Sequence, residues 1–383
     1  LANNTPSAAN IKAYADIVRE RSMRRQVILD SQEIINCASQ SEVHVDDLLS
    51  LASGKIKRIA QASKSDRAVD ENPPNRDSMA LTEDGLSKAQ LAPKCLVEGY
   101  LYGDVVSLSA PGGVGKTTAS IHEAVCIAIG RPLYGLDIIT KGWSLFITAE
   151  DQRERLTARL REIMRAMDLT PNERKTILRS ICFWDVSGQN SKLITNEGGN
   201  IVLTALADQI IDTYKNDPPV LITFDPLVSF GVGESRINEN EQGLILAARR
   251  IVRELECCVR YIAHTGKANA RDKTLDQYTS RGGSALSDGC RMIHVMQTWS
   301  PEDKKNRPPA GCTPSSDSSL TILARPKNSY SKPNPPLIWI KRTGFLFEHF
   351  IDVVQTKVEV DAANTDQLER FLISEYKQGR MYT

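Results

Sequence analysis

The spacing of hydrophobic positions changes character twice along the chain. From residue 10 to about 62 it is helical: Ile11, Tyr14, Ala15 and Val18 fall at i, i+3, i+4 and i+7, and Val27-Ile28 and Ile34-Ile35 continue the stripe with Arg and Glu opposite. A second run, Leu48, Leu49, Ala52, Ile56, Ile59 and Ala60, follows Ser41-Glu42 and Asp46-Asp47, acids that suit a helix's first turn. Two such helices bury little apolar surface alone, so this hairpin (residues 1–62) calls for a partner in another chain or in sequence upstream. Residues 63–90 lose the period, carry Pro73-Pro74 and read as a flexible linker. From 91 to 350 short apolar runs alternate with charged, periodic stretches: WSLFITA at 143, ICFWDV at 181, VLITFD at 220 and CVRYIAH at 258. That alternation predicts an α/β domain, a mostly parallel sheet covered by helices on both faces. Beyond LTILARP, LIWIKR and FLFEHF predict a terminal antiparallel pair. Residues 351–383 hold a polar connector and one amphipathic segment, Leu368, Phe371, Leu372 and Tyr376, with no assigned role.

Composition narrows the function classes. A chain of 383 residues with 41% hydrophobic content buries one large core or two smaller ones. The net charge of +1 gives no global case for nucleic acid, so any polyanion site must come from local clusters. The eight cysteines (37, 95, 126, 182, 257, 258, 290 and 312) form no C-x-x-C pair and several lie in apolar runs, which fits reduced, buried thiols and a cytoplasmic location. No stretch approaches the ~18 continuous apolar residues of a membrane span, so no membrane partner is expected. Because the chain opens on Leu1 rather than Met, it is expected to begin mid-gene or after processing.

The clearest chemistry lies at 109–120, SAPGGVGKTTAS. Gly112, Gly113 and Gly115 free the backbone to curl its N–H groups around a β-phosphate, Lys116 reaches the β- and γ-oxygens, Thr117 suits Mg²⁺, and Thr118 completes the nucleotide-contacting set. Ala110 stands where the pattern usually has Gly. A strand over 104–109 and a helix from Thr117 to Ile129, ended by Gly130, supply the flanks a P-loop needs, with the helix dipole aimed at the phosphates. ATP and Mg²⁺ are the expected cofactors.

Phosphoryl transfer also needs an acid near Mg²⁺ and a group that orients water. Asp225 ends the apolar strand VLITFD, beside the P-loop if the sheet winds in the usual way, where it accepts hydrogen bonds from magnesium's water shell. Glu150 ends LFITAE and suits polarisation of the attacking water; its neighbour Asp151 is alternatively a cap of the next helix. His264 ends a third strand, as a reporter of the γ-phosphate or as a structural histidine. Arg281 and Arg291 are the candidates for an arginine finger, which must stand at a subunit edge.

Residues about 100–347 resemble the RepA-type hexameric replicative helicases of broad-host-range plasmids and the wider RecA-like P-loop ATPases. The resemblance rests on SAPGGVGKTT, ITAEDQ, LITFDPLVSFGVGESRINENEQG, AHTGKA, RGGSALSDGCR and ARPKNSYSKPNPPLIWIKRTGFLF, in that order. Residues 1–62 resemble instead the end of the N-terminal domain of the bacterial replicative helicase DnaB, a helical hairpin that pairs between subunits and helps dock primase. The resemblance implies that Lys116 and Thr117 bind phosphate and Mg²⁺, Glu150 is the catalytic base, Asp225 the Walker B acid, His264 the sensor and Arg291 a finger acting on the neighbouring subunit. It adds Lys327 as a second cation near the neighbour's γ-phosphate. Residues 231–243 and 266–283 match the two segments that line the family's DNA channel. The second is basic, with Lys267, Arg271, Lys273 and Arg281, and suits sequence-independent phosphate contacts. A solvated loop is its other reading, since Asp272 and Asp276 dilute the charge. A DnaB-type N-terminal domain also has a globular part upstream of the hairpin, and residues 1–62 carry no counterpart of it.

Three readings follow. The leading one is an ATP-dependent replicative helicase, a homo-hexameric ring with ATP between subunits and single-stranded DNA in the pore, moving 5′ to 3′ as the resemblance implies. The second keeps a DNA-dependent regulatory or recombination ATPase and removes unwinding. The third is a scaffold that docks primase or a loader, against which the intact set Lys116, Glu150 and Asp225 argues.

Overall fold

The computed structural model describes residues 8–39, 44, 45, 48, 49, 52–55, 76–197, 200–232, 237–303, 305–309, 311, 312 and 314–351. The segment expected as an amphipathic C-terminal helix, and most of the linker's first half, lie outside them. Two units are present, residues 1–89 and 90–383.

In the first unit α1 (Ala8–Ala38) is one continuous helix, and Val45, Leu48, Leu49 and Ala52–Lys55 are again helical. The buried Lys55 ammonium donates to Asp30 Oδ1 at 3.1 Å and to Glu33 Oε2 at 2.6 Å, so the two helical segments face each other as a hairpin. Val27, Ile28, Leu29 and Ile35 of α1 are exposed. The expected linker contains two short helices, α2 (Arg76–Met79) and α3 (Glu83–Lys88). Thr82 caps α3 by accepting from Gly85 N–H at 3.0 Å, with Glu83 and Asp84 in the first turn. This start signal is local and no residue of α3 is buried, so apolar periodicity had nothing to report there.

The second unit opens with a small antiparallel pair, β1 (Cys95–Val97) and β2 (Leu101–Tyr102). Its main sheet has nine strands. In chain order they are β3 (Val105–Ala110), β4 (Ser144–Thr148), β5 (Ile181–Asp185), β8 (Leu221–Asp225), β9 (Cys258–His264), β10 (Met292–Thr298), β11 (Ser318–Asn328), β12 (Ile338–Thr343) and β13 (Leu346–Ile351); β6 (Ile194–Glu197) and β7 (Asn200–Leu203) form a separate hairpin. The spatial order is β13-β12-β11-β10-β3-β9-β8-β4-β5. The six strands from β10 to β5 run parallel, and β11, β12 and β13 continue the sheet antiparallel.

Parallel strands need crossovers, and the periodic stretches supply them. These are α4 (Lys116–Ile129) after β3, α5 (Arg153–Ala166) and α6 (Pro171–Ser180) between β4 and β5, α7 (Leu206–Tyr214) before β8, and α8 (Ile237–Leu255) between β8 and β9. Short α9 (Lys267–Arg271) and α10 (Ala285–Gly289) lie between β9 and β10. Side chains of one strand divide between two cores. Val105, Val259 and Tyr261 pack with Leu244, Ala248 and Ile251 of α8 on one face, while Val106, Leu108 and Cys258 pack with Ala119, Cys126 and Ile127 of α4 on the other. Burial on both faces is why these strands read as apolar runs rather than alternating patterns. Each such fully buried aliphatic side chain contributes ~1.5–3 kcal/mol.

The antiparallel extension is more than an edge. Phe345 and Phe347 pack against the cluster containing Ile121 and Val125 of α4, and the Phe347 ring lies 4.3 Å from that of His122. A buried ion pair, Arg260 with Glu123 at 2.6 Å, ties α4 to β9 from within the core.

Candidate functional site

The P-loop lies between the last residue of β3, Ala110, and the first of α4, Lys116. Gly113 and Gly115 adopt φ of +80° and +93°, a region that strains any residue with a Cβ. A side chain at Gly112 or Gly113 would meet nothing within 4 Å, so the loop's backbone faces open space there. The buried Lys116 ammonium donates to the carbonyls of Ala110 (3.0 Å) and Pro111 (3.1 Å) and stands 3.5 Å from His264 Nδ1. Burial lowers its pKa, against the opposing pull of Asp225 and Glu150. Thr118 is buried in the first turn of α4.

Strand register explains how distant residues meet. His264 is the neighbour of Ala110 across β3 and β9, and Asp225 is the neighbour of Thr148 across β8 and β4. One strand, β9, separates β8 from β3, yet Thr117 Oγ1 donates to Asp225 Oδ2 at 2.6 Å. Burial raises the Asp225 pKa to about 6, with Glu150 adding to the rise and the Thr117 hydrogen bond and Lys116 opposing it. Burial and then Lys116 lower that of His264, which keeps the ring neutral and Nδ1 open to the ammonium.

Glu150 is exposed just beyond β4, and its charge bears on Lys116, Asp225 and His264 alike. Thr148 Oγ1 accepts from the N–H groups of Glu150 (3.3 Å) and Asp151 (3.1 Å), which fixes the turn that presents both acids. The alternative role of Asp151 as helix cap is corrected: Gln152 is the N-cap of α5, and Asp151 pairs with Arg159 at 2.5 Å.

The P-loop glycines, Lys116, Thr117, Asp225, Glu150 and His264 thus converge at the C-terminal ends of β3, β8, β4 and β9. The donor set fits a nucleotide's phosphates with a divalent cation. The glycine loop is open at Gly112 and Gly113, and a hydroxyl and a carboxylate, both hard oxygen donors, touch each other beside the lysine. Among the described residues no group of three or more His, Cys, Asp or Glu gathers as an all-protein metal cage.

Arg291 and Lys327 do not join this cluster. Arg291 is exposed at the entry to β10, where its N–H donates to Val105 O at the start of β3, a strand length of about 17 Å from the P-loop end. Lys327 Nζ donates to Ser287 O (2.7 Å) and Asp288 O (3.1 Å) at the end of α10.

Of the two expected channel segments, 237–243 are the first two turns of α8, and 233–236 lie outside the described residues. The second segment is partly helical, since α9 occupies 267–271. Lys267, Arg271 and Arg281 are exposed, whereas Lys273 reaches Ser300 Oγ at 2.5 Å and Arg271 pairs with Asp272 at 3.4 Å. Arg281 N–H donates to His264 O at 2.5 Å, joining this segment directly to the strand tip beside Lys116.

Sequence reasoning missed Glu241. This buried α8 carboxylate accepts from the N–H groups of Gly283 (3.0 Å) and Leu286 (2.9 Å), and a Cβ on Gly282 or Gly283 would strike Glu241 or Asn238. Burial raises its pKa. The only sequence trace of this clamp is the pair Gly282-Gly283, which permits the approach.

A P-loop feeding a crossover helix, with an acid at the tip of a strand two places away in a mostly parallel sheet, defines a RecA-like P-loop fold. Residues 71–270, more than half of the chain, match the AAA domain family, and the chain belongs to that family. It is 30% identical over 150 residues to the replicative DNA helicase DnaB of Buchnera aphidicola subsp. Baizongia pistaciae (strain Bp), covering 35% of this chain and 32% of that protein. It is 30% identical over 141 residues to the replicative DNA helicase DnaC of Bacillus subtilis (strain 168), covering 33% and 30%. The matches thus span about a third of the length of these curated relatives. An alignment of 150 residues is longer than the 62-residue hairpin, so the DnaB likeness extends beyond the segment in which sequence reasoning had placed it. A solved DnaB-like replicative helicase, described with its interactions with primase, aligns with a TM-score of 0.43 at 13% identity over 88% of this chain and 79% of that one. Among the described residues no helix is long and apolar enough to cross a membrane.

Proposed function

We propose that the chain is the motor of a ring-forming replicative DNA helicase, which hydrolyses ATP to move 5′ to 3′ on single-stranded DNA. The observation that carries this reading is the direct connection between the nucleotide cluster and the basic segment. His264 faces Lys116 through its ring and holds Arg281 through its carbonyl.

In this reading the N–H groups of residues 112–117 hold the β-phosphate of ATP, and Lys116 donates to the β- and γ-oxygens. Thr117 and Asp225 hold Mg²⁺, which when bound neutralises charge on the phosphates. Glu150, exposed at the rim, orients water and takes its proton. Asp225, beside Thr117, is left ionised by the cation and by Lys116. His264 senses the γ-phosphate and passes its presence through the 264–281 backbone contact to Lys267, Arg271 and Arg281, whose grip on DNA phosphates then changes. Arg291 and Lys327, at the far ends of their strands, serve a neighbouring copy's nucleotide, which makes a homo-hexamer the natural assembly. The hairpin of residues 1–62 is the primase-facing part, and 91–350 the motor.

The test is ATP hydrolysis with and without single-stranded DNA, together with unwinding of a forked duplex. DNA is expected to stimulate turnover and forks to open, and Glu150→Gln to cut kcat by about 100-fold or more while nucleotide still binds. Stimulated hydrolysis with forks that stay closed at every protein concentration selects the regulatory or recombination ATPase. No hydrolysis leaves only the docking scaffold.

A further inference from the structure

The turn between β12 and β13 brings to the P-loop a cation to which the sequence motifs assigned no role. Arg342 ends one residue short of β12's last position, and its guanidinium lies against Gly115: a methyl group on Gly115 would strike Arg342 Nη1. Its Nε donates to Gly344 O at 2.9 Å and its Cζ lies 6.0 Å from the centre of the Phe345 ring. Among the described residues no carboxylate pairs with it. The charge that bears on it is another cation, Arg159, itself held by Asp151.

These observations describe a guanidinium placed in advance for an anion. The hairpin that carries it is anchored through Phe345 and Phe347 to the P-loop helix itself. A half-buried cation facing a second cation, satisfied by one carbonyl and a ring face, is a costly arrangement until a negative group arrives. Four of its five N–H donors have no partner in that single carbonyl contact, and a planar fork of donors matches phosphate oxygens.

We infer that Arg342 is a further phosphate-binding residue of the nucleotide site, contributed by the same chain as the P-loop and acting on the polyphosphate rather than on the base. This rests on the reading of residues 110–117 as a nucleotide site. It differs in kind from the role proposed for Arg291, because Arg342 touches the loop of its own chain. Arg342 contributes to binding of substrate and product alike, so it sets affinity more than turnover.

The experiment measures affinity of the full chain for ATP, ADP and inorganic tripolyphosphate by competition with a fluorescent nucleotide. It compares the unaltered protein with Arg342→Ala, Arg342→Lys and Lys116→Ala, with thermal unfolding of each as a check on the fold. Arg342→Ala is expected to weaken all three ligands about tenfold or more, since a hydrogen-bonded charge contact is of that order. Arg342→Lys is expected to fall between, because it keeps the charge and loses the fork. Unchanged tripolyphosphate affinity in Arg342→Ala overturns the inference, including the case in which ATP alone weakens through a base or ribose contact. If Lys116→Ala loses nucleotide and Arg342→Ala does not, only the Arg342 assignment falls. If Lys116→Ala also binds as before, the nucleotide site and this inference fall together.

Discussion

Glu173 shows how much one side chain organises around the nucleotide helix. It is the third residue of α6, where Thr170 and Glu173 cap each other, and its carboxylate receives Arg131 Nε at 2.7 Å and Nη2 at 2.8 Å. Arg131 directly follows Gly130, the left-handed residue that ends α4. The pair therefore links the end of the P-loop helix to the start of α6. The Arg131 hydrogen bonds first, and the Thr170 N–H and hydroxyl after them, hold the Glu173 pKa down at about 2. A depressed carboxyl pKa stabilises the fold above the usual value near 4.5, and that contribution is lost as pH falls towards 2. Glu173→Gln is thus expected to unfold at a lower temperature than the unaltered protein at pH 7, with the gap closing between pH 4.5 and 2. Thermal melts across that range check it, and a gap independent of pH would show that packing, not charge, is responsible.

At the scale of elements the informative contact is between α8 and the segment 281–289. Glu241 is buried, and its two backbone hydrogen bonds fix the turn that follows Arg281. Removing the carboxylate leaves the half-buried Gly283 N–H and the buried Leu286 N–H without that acceptor, at a cost of ~1–3 kcal/mol for the buried one. In Glu241→Ala, amide hydrogen exchange over 281–289 is expected to accelerate by about tenfold or more, with exchange in α4 unchanged; Glu241→Gln keeps an acceptor oxygen and falls between. Equal acceleration in α4 and in 281–289 would mean global destabilisation and would remove the case for a local clamp. The short α3 belongs to the same scale: a threonine cap and two acids outweigh the absence of any apolar stripe.

For the whole molecule the decisive fact is that the candidate residues divide between the two ends of the sheet. The P-loop, Asp225, Glu150 and His264 stand at the C-terminal ends of the parallel strands, and Arg291 enters β10 at the other. No motion within one chain short of unfolding the sheet carries Arg291 to its own P-loop. The proposed ring places it against a neighbour's. Mixing Arg291→Ala into unaltered protein is then expected to depress fork unwinding more steeply than the mutant fraction, because one altered subunit disables its neighbour's site. A linear decline would show that each subunit works alone.

Much of this was legible in the chain. The strands at 144–148, 181–185, 221–225 and 258–264 and the helix ended by Gly130 are local matters of apolar runs and stop signals, as are the P-loop and the acids that end β4 and β8. A sequence determines such features by itself because their causes lie within a few residues: backbone freedom at glycine, burial of an apolar run, a charge at a strand tip. Strand order, the antiparallel swing of β12 and β13 over α4, the arrival of Arg342 at Gly115 and the Glu241 clamp were decided only in three dimensions. Each depends on which surfaces meet between segments distant in the chain, and that choice minimises the exposed apolar area of the whole domain rather than of any one segment.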